Sequence, residues 1–196
     1  MNKSDLRKHY LAERKKLSDE QLNTVSEGIC NCFFEWASQQ HAWWDSIRSI
    51  HCFLPIKKQK EVDTLCIIRA LRLRYPHIRI VISRMNAADN SLEHFLWEDS
   101  TELRENSAGI PEPVNGHSYP ADQIDLVLVP LLIFDRSGHR IGYGKGYYDR
   151  FLASCRIDTL KVGLSVFDPV DDFQEKDEWD IVLDYCVTPQ KVWMLG

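Results

Sequence analysis

A chain of 196 residues with 44% hydrophobic residues and a formal net charge of −5 is predicted to form one compact domain over residues 1–196. The negative charge argues against a general nucleic-acid binder, and no apolar run approaches the ~20 residues that span a bilayer. The six cysteines are scattered and form no C-x-x-C pair, so we expect reduced thiols in a cytoplasmic protein without a signal peptide. A metal–thiolate site is the alternative use of these cysteines.

The first predicted element is a basic helix over residues 3–17. Lys3, Arg7 and Arg14 recur near multiples of 3.6 residues, so they share roughly one face. Residues 1–16 hold six basic and two acidic side chains, a net charge of +4. This face suits an anionic ligand, and basic residues on a solvated helix are the alternative.

The next elements indicate a parallel sheet. Ser18 and Gln21 form a capping box for a second helix, and residues 46–53 are predicted to form a strand. A helix over residues 64–74 leads through a short loop into a strand at 78–83. This order is a βαβ unit, which places its two strands parallel in one sheet.

A strand is predicted at residues 92–97 and a long loop at 106–122, where three prolines and two glycines prevent regular structure. A loop this long in a compact domain is often functional. Later strands are predicted at 160–166 and 181–187. Residues 168–184 hold eight acidic side chains and one basic side chain, a net charge of −7, which either supplies a metal ligand or forms a solvated surface.

The stretch around which the chain is organised runs from residue 125 to 152. Two apolar runs at 126–129 and 131–134 predict a buried strand interrupted by Pro130. Residues 135–138 then predict a tight turn, because the glycine at its end is free to take positive φ.

A glycine-rich loop follows the turn. Gly142, Gly144 and Gly146 alternate along it, Lys145 lies between the last two, and a helix begins near Tyr148. Backbone N–H groups and a helix dipole of about +0.5 charge would face an anion there, and Lys145 adds a full positive charge. A plain glycine-rich turn with an exposed lysine is the alternative.

Neither of the two common phosphate loops fits this segment. A P-loop needs glycine five residues before the Gly-Lys pair, where His139 stands. A dinucleotide fingerprint needs G-x-G-x-x-G, whereas Tyr147 occupies its last position here. We therefore predict a three-layer α/β/α sandwich with a mainly parallel central sheet, Rossmann-like but without a dinucleotide fingerprint. The glycine loop should lie at the carboxyl ends of the strands, where such sheets bind ligands.

The segment RIGYGKGYYDR, after a DLVLVP strand, resembles the signature of the 5-formyltetrahydrofolate cyclo-ligase family. The resemblance continues in an E-x-x-T segment from Glu61, an I-P-x-P segment from Ile110 and a closing D-x-x-x-D-x-x-V-T-P segment from Asp180. It implies that ATP and Mg²⁺ drive cyclisation of 5-formyltetrahydrofolate to 5,10-methenyltetrahydrofolate, with release of ADP and phosphate. We expect a monomer whose partners are these small molecules, without nucleic acid or membrane.

The resemblance also implies roles for individual residues. The expected catalytic residues are Arg140, Lys145 and Tyr148. The expected ATP-binding residues are Lys3, Arg7, Arg140, Gly142, Gly144, Lys145, Gly146, Tyr147 and Tyr148. The expected folate-binding residues are Leu54, Glu61, Ile110, Pro111, Tyr143 and Tyr147. The expected magnesium ligands are Asp149 and Asp180. For Asp149 the alternative is helix capping, and for Asp180 it is one acid among many in an acidic segment.

Glu61 is expected to hold the pterin, because a carboxylate can accept paired hydrogen bonds from the N–H donors of a 2-amino-pyrimidinone edge. A surface residue before a helix is the alternative. Arg14 matches an arginine of the family without an assigned role, and Leu131 stands where the family commonly has glycine, which changes the local backbone.

Two rival functions remain at this point. One is a small-molecule kinase that uses the same loop with a different acceptor site. The other is a folate-binding module without catalysis, against which Lys145, Asp149 and Asp180 argue, because folate binding alone would not require them.

Overall fold

The computed structural model describes residues 2–173 and 175–195. Its α-helices are α1 Lys3–Lys15, α2 Asp19–Ser38, α3 His41–Trp44, α4 Leu65–Arg74 and α5 Tyr147–Ser154. Its strands are β1 Ser49–His51, β2 Arg79–Asn86, β3 Ser91–Leu96, β4 Leu103–Glu105, β5 Pro111–Pro113, β6 Leu126–Pro130, β7 Ile133–Phe134, β8 Arg140–Ile141, β9 Leu160–Leu164, β10 Tyr185–Val187 and β11 Val192–Met194. No helix in these two ranges has the length and apolar character needed to cross a membrane.

One seven-stranded sheet forms the centre, in the order β11-β10-β9-β6-β1-β2-β3. The five strands from β10 to β2 run parallel, and β11 and β3 pair antiparallel at the two edges. Strand β6 is apolar along its length because helices or loops cover both faces of a parallel sheet. The predicted mainly parallel α/β sandwich is therefore confirmed.

Helices on both faces complete the layers. Phe33 of α2 and Ile67 of α4 pack with Leu128 on one face of the sheet, and Phe151 of α5 packs with Val127 on the other. Helix α1 lies instead over the β7–β8 hairpin, with its apolar side chains against those of both short strands. This placement carries the basic residues of α1 to the end of the sheet where the glycine loop lies.

Several sequence predictions differ from the structure in detail, among them the strand predicted at 181–187, which is limited to β10. The strand predicted at 46–53 narrows to β1, because the Asp125 carboxylate accepts the N–H groups of Arg48 and Ser49 at 2.8 and 2.9 Å in place of a neighbouring strand. The loop predicted at 106–122 contains the short strand β5, paired with β4. Prolines fit there because this two-stranded ribbon leaves an edge where a missing N–H costs no ladder bond. Strand β11 was not predicted.

Leu131, where the resembled family commonly has glycine, fills space that Gly163 leaves empty. Leu131 is 3% exposed. A Cβ added to Gly163 of β9 would lie 2.7 Å from the Leu131 Cδ2 and 2.7 Å from the Leu183 Cδ1. The larger residue after Pro130 is thus accommodated by the absence of a side chain on the neighbouring strand.

We expect Gly163→Ala to lower the free energy of unfolding by about 1–3 kcal/mol, because the added methyl overpacks a filled core. Chemical denaturation measures the loss. The double variant Gly163→Ala with Leu131→Ala should lose less than the sum of the two single variants, since it removes one of the clashing side chains. Strict additivity would show that the contact with Leu131 is not the cause.

A buried polar chain crosses three strands on the α5 face. The Ser83 hydroxyl lies 2.7 Å from the His51 Nε2 and 2.9 Å from the His94 Nδ1. Burial lowers the pKa of His94 to about 4, and burial together with the His94 charge lowers the pKa of His51 well below its ordinary value. Both imidazoles are therefore neutral in the folded protein near pH 7.

Acid should destabilise the fold through these histidines. Their pKa values are depressed on folding, so the unfolded chain binds more protons below pH ~6.5 and stability falls as pH drops from there toward about 4. The His94 share of this loss is on the order of 3 kcal/mol at pH 4. His94→Gln should flatten the dependence of unfolding free energy on pH between 7 and 5, and His77→Gln, on the exposed surface, should leave it unchanged. An equal slope in both variants would refute this origin.

Candidate active site

A cavity of about 1050 Å³ opens at the carboxyl ends of β1, β2 and β6, where open α/β sheets bind ligands. The residues assigned from the sequence to catalysis, ATP, folate or magnesium all line it, although they come from distant parts of the chain. They are Lys3, Arg7, Leu54, Glu61, Ile110, Pro111, Arg140, Gly142, Tyr143, Gly144, Lys145, Gly146, Tyr147, Tyr148, Asp149 and Asp180. Their shared location supports one binding site, and their individual roles remain predictions.

The glycine loop forms one wall of the cavity. Gly144 and Gly146 have φ angles of +84° and +72°, which side-chain-bearing residues rarely adopt. Gly146 leads directly into α5, so the free N–H groups of that helix begin at the cavity. The Lys145 side chain is exposed, and its ammonium has no ion-pair partner within residues 2–173 and 175–195. This loop offers backbone donors and one uncommitted cation to an anion.

Helix α1 supports the loop from the other side of the cavity. The Arg7 Nε donates a hydrogen bond to the Gly142 carbonyl at 2.9 Å. A Cβ on Gly144 would lie 3.0 Å from the Arg7 Cζ, so glycine at this position allows the guanidinium to lie directly over the loop. Arg7 therefore contacts the loop directly, and the alternative of a merely solvated basic helix does not hold for this residue.

Two other predicted phosphate contacts are paired with carboxylates. The Lys3 Nζ lies 2.6 Å from Asp177 and 2.6 Å from Asp180. Burial opposes the charge on Lys3, but hydrogen bonds to these two carboxylates raise its pKa above the ordinary value. Arg140 donates to Asp149 at 2.8 Å and to the Ile181 carbonyl. Both cations therefore have carboxylate partners in this structure, and each retains further N–H donors for a phosphate oxygen.

The two predicted magnesium ligands meet the requirements for a metal shared with phosphate. Asp149 does not cap α5, because its carboxylate accepts from Arg140 and from the Ile181 N–H at 3.3 Å. Asp180 and Asp149 border the same cavity. The described ranges contain no cluster of three or more His, Cys, Asp or Glu side chains able to hold a metal. Magnesium commonly takes one or two carboxylates and completes its shell with phosphate oxygens and water, so these residues fit it.

Another part of the cavity wall contains a buried carboxylate, which Tyr143 of the glycine loop contacts directly. Glu61 is 4% exposed, which excludes the alternative of a surface residue. Its Oε2 accepts the Ile56 N–H at 2.7 Å, and its Oε1 accepts the Tyr143 hydroxyl at 2.7 Å. Burial raises its pKa, against the hydrogen bonds from Tyr143 and Ile56 and the charge of Arg14. The part of the cavity around Glu61 therefore presents carboxylate oxygens to hydrogen-bond donors.

Aromatic and apolar side chains complete the lining of the cavity. Burial, and then the nearby Glu61 charge, raises the pKa of Tyr148 well above its ordinary value, so the phenol is a hydrogen-bond donor and not a base at neutral pH. Ile110 and Pro111 add apolar surface to the same cavity. A flat ring is accommodated by such walls.

Sequence reasoning missed several lining residues, among them Ser83, Met85, Glu112 and Trp179. The first two alternate with Val81 along β2 on one face of the sheet. The alternation of side chains along β2 therefore identifies both residues once the register of the strand is known. Glu112 lies in the loop predicted to be functional, and Trp179 directly precedes a predicted metal ligand, so neighbouring signals were present for both.

Fold and cavity together define an α/β protein in which a glycine-rich loop and a buried carboxylate line one cavity at the carboxyl ends of parallel strands. The sequence profile of the 5-formyltetrahydrofolate cyclo-ligase family matches residues 1–189. The chain is 26% identical over 192 residues to a 5-formyltetrahydrofolate cyclo-ligase of Mycoplasma genitalium, covering 95% of this chain and 98% of that protein.

Two further similarities agree with this match. A 5-formyltetrahydrofolate cyclo-ligase of Escherichia coli is 33% identical over 137 residues, which cover 68% of this chain and 74% of that protein. The structure of 5,10-methenyltetrahydrofolate synthetase from Aquifex aeolicus superimposes with a TM-score of 0.77 at 28% identity, covering 100% of this chain and 93% of the other. The chain belongs to the 5-formyltetrahydrofolate cyclo-ligase family. It is accordingly an ATP-dependent enzyme of folate one-carbon metabolism, and the resemblance seen in the sequence is confirmed.

Proposed function

We propose that this chain converts 5-formyltetrahydrofolate to 5,10-methenyltetrahydrofolate by transferring the γ-phosphoryl group of ATP to the N5-formyl oxygen. Folate nitrogen N10 then attacks the activated formyl carbon, and the new C–N bond closes the ring as phosphate leaves. ATP is needed because an amide-like formyl carbon is a poor electrophile and its oxygen is a poor leaving group. Phosphorylation turns that oxygen into part of a good leaving group.

The observation that carries this proposal is the presence of two complementary recognition elements in one cavity. Lys145, on a loop of backbone donors, suits a phosphate chain, and Glu61 suits the N–H donors of a pterin. A phosphoryl transfer between two bound molecules needs both in one site, because holding reactants in contact removes most of the entropic barrier. Neither element requires a covalent nucleophile from the protein.

The chain's own residues then have distinct tasks. Lys145 and the loop N–H groups bind the phosphates and offset the charge that spreads over them during transfer. Arg7, Arg140 and Lys3 surround the same phosphates. The carboxylate partners of the last two, Asp149 and Asp180, would hold magnesium, which when bound neutralises phosphate charge and orients the oxygens.

The tyrosines and the apolar wall position the folate. Tyr147 and Tyr148 line the cavity and directly follow the glycine loop, so they are the proposed contacts at the junction of nucleotide and folate. Leu54, Ile110 and Pro111 would pack against the pterin ring. Exclusion of water from this junction favours ring closure over hydrolysis of the phosphorylated intermediate.

A single assay separates this function from its rivals. Purified protein with ATP, magnesium and 5-formyltetrahydrofolate should develop the near-ultraviolet absorbance of a methenyl folate, with one ADP formed per folate converted. A kinase with another acceptor would hydrolyse or transfer phosphate without that absorbance. A folate-binding module would bind the folate and leave ATP intact.

We also propose that residues 1–196 act as one domain, as a monomer in the cytoplasm, without nucleic-acid or membrane partners. The support is that buried residues from α2, α4 and α5 pack on one common sheet. Sedimentation at micromolar concentration would test the monomer, since a dimer would double the mass.

A further inference from the structure

The third basic residue of the helix face, Arg14, lies outside the cavity and is buried. It is 2% exposed. Its Nη1 donates to the Leu131 carbonyl at 3.1 Å, and its Nη2 donates to the Tyr143 hydroxyl oxygen. No carboxylate in the described ranges contacts it directly, and its Nε is buried without a partner. A buried guanidinium is expensive unless a negative charge lies close enough to compensate it.

The Tyr143 phenol connects this cation to a carboxylate. Its oxygen accepts from Arg14, and its single proton is donated to the Glu61 Oε1 at 2.7 Å. The Arg14 Cζ also lies 5.6 Å from the centre of the Tyr143 ring. The three side chains form one hydrogen-bonded line from the last turn of α1 to the wall of the cavity. Within this line the positive guanidinium and the negative carboxylate compensate each other's charge through the phenol.

We propose that Arg14 is a positioning residue that acts through Tyr143 to keep Glu61 ionised and oriented as a two-oxygen acceptor for the pterin. The inference rests on the proposed function, and it assigns to the buried arginine a task in recognition of the folate and not of the nucleotide.

The hydrogen bonds around Glu61 leave it suited to a fork of two donors. Tyr143 occupies one acceptor position on Oε1, and the Ile56 N–H occupies one on Oε2. An ionised carboxylate has about four acceptor positions, so one remains on each oxygen. Fixing both oxygens from behind holds the carboxylate plane, which is the condition for paired hydrogen bonds to a planar ligand edge. A protonated Glu61 would present a donor at one oxygen and lose half of that fork.

Charge is the reason that an arginine is needed. Burial raises the Glu61 pKa, and Arg14 is the nearby full positive charge that opposes the rise. The other titratable groups that face Glu61 are the phenols of Tyr143 and Tyr148, whose pKa values are raised by burial and by Glu61 itself. Neither phenol can supply a compensating charge. Removing the charge of Arg14 would therefore raise the Glu61 pKa further and favour its protonated form near neutral pH.

The test measures 5-formyltetrahydrofolate affinity by calorimetry, without nucleotide, at pH 6, 7 and 8. We expect Arg14→Gln to weaken binding about 30-fold at pH 6, with partial recovery at pH 8, because alkaline pH restores the carboxylate. ATP affinity should change less than about threefold, since Arg14 does not line the cavity. Arg14→Lys retains the charge without the two-pronged contact, so it should bind more weakly than the native protein but with nearly native pH dependence.

A second pair of variants tests whether the effect passes through Glu61. In a Glu61→Gln background, adding Arg14→Gln should cause no further loss of folate affinity, because the carboxylate that Arg14 serves is gone. If Arg14→Gln does not fold, Tyr143→Phe carries the test. It removes the connecting hydroxyl and the hydrogen bond that opposes the rise in the Glu61 pKa, so folate binding should weaken more at pH 6 than at pH 8, and an equal loss at both pH values would overturn the proposal.

Three further results would overturn the proposal. Losses from Arg14→Gln and Glu61→Gln that multiply would show that Arg14 acts independently of Glu61. A loss in Arg14→Gln that is equal at pH 6 and 8 would show a merely structural role. Native folate affinity in Glu61→Gln would remove the proposed pterin contact itself, and that failure is distinct because it appears in a variant whose Arg14 is intact.

Discussion

Lys145→Ala is expected to lower kcat/KM for ATP by about 10²–10³-fold, while the affinity for 5-formyltetrahydrofolate changes less than about threefold. The physical reason is the position of the ammonium. It stands between two glycines of positive φ, on a loop that leads into the N-terminus of α5, and it has no carboxylate partner in residues 2–173 and 175–195. Lys3 and Arg140 are already paired with carboxylates, so their charges are partly offset and do not replace that of Lys145.

Steady-state kinetics with each substrate varied in turn, and calorimetry with ADP, would measure this loss. Lys145→Arg retains the charge and should recover part of the activity, although the guanidinium does not reproduce the point charge of an ammonium. Lys8→Ala is the matched control, because Lys8 is exposed on α1 and does not line the cavity. Loss of folate affinity with native ATP use in Lys145→Ala would contradict the assignment of Lys145 to ATP.

The layers of the fold could be predicted because their signals are local. Strand β6 is an uninterrupted apolar run, and the capping box of Ser18 and Gln21 is formed as expected, with both reciprocal hydrogen bonds. Strand β11 could not be predicted in the same way. Its three residues show no period, and the strand exists because β10 offers it an open edge. Strand boundaries were missed for a similar reason, as Asp125 replaces part of the ladder at the start of β1.

The site could be predicted where its residues are adjacent in the sequence and not where packing brings them together. The glycine loop is one continuous segment, so counting its spacing was enough to indicate an anion site. The hydrogen bond between Tyr143 and Glu61 joins residues that are 82 positions apart. The local sequence around either residue does not predict this contact. The sequence showed that Arg14 shares a face with Arg7, but not that this end of the face is buried while the other lines a cavity.

The pairing of cations with carboxylates was also beyond sequence reasoning. Arg140 and Asp149 were assigned to phosphate and metal separately, and the structure places them 2.8 Å apart. Lys3 and Asp180 were likewise assigned separately, and their charged groups lie 2.6 Å apart. Opposite charges that serve one polyanionic ligand and its cation must lie near each other, so without ligand they neutralise each other. This arrangement lowers the cost of keeping both signs of charge in a partly enclosed site.

Glu61→Gln is expected to weaken 5-formyltetrahydrofolate binding about 10²-fold, a loss of about 3 kcal/mol, because charge-assisted hydrogen bonds to the ligand become neutral ones. The amide also cannot satisfy its neighbours. Ile56 and Tyr143 both donate to the native carboxylate, so the new NH₂ group must face one of two donors whichever way it turns. ATP affinity should change less than about threefold, since the glycine loop is untouched.

Calorimetry with each ligand separately would measure both affinities, and Glu27→Gln, on the exposed face of α2, provides the matched control. The variant should also lose thermal stability, because Arg14 then lies buried without its compensating charge. The ratio of the two affinity changes is the decisive quantity. Equal weakening of folate and ATP would indicate a general folding defect. Selective loss of folate would place pterin recognition at a carboxylate that the Ile56 N–H and the Tyr143 hydroxyl hold in one orientation.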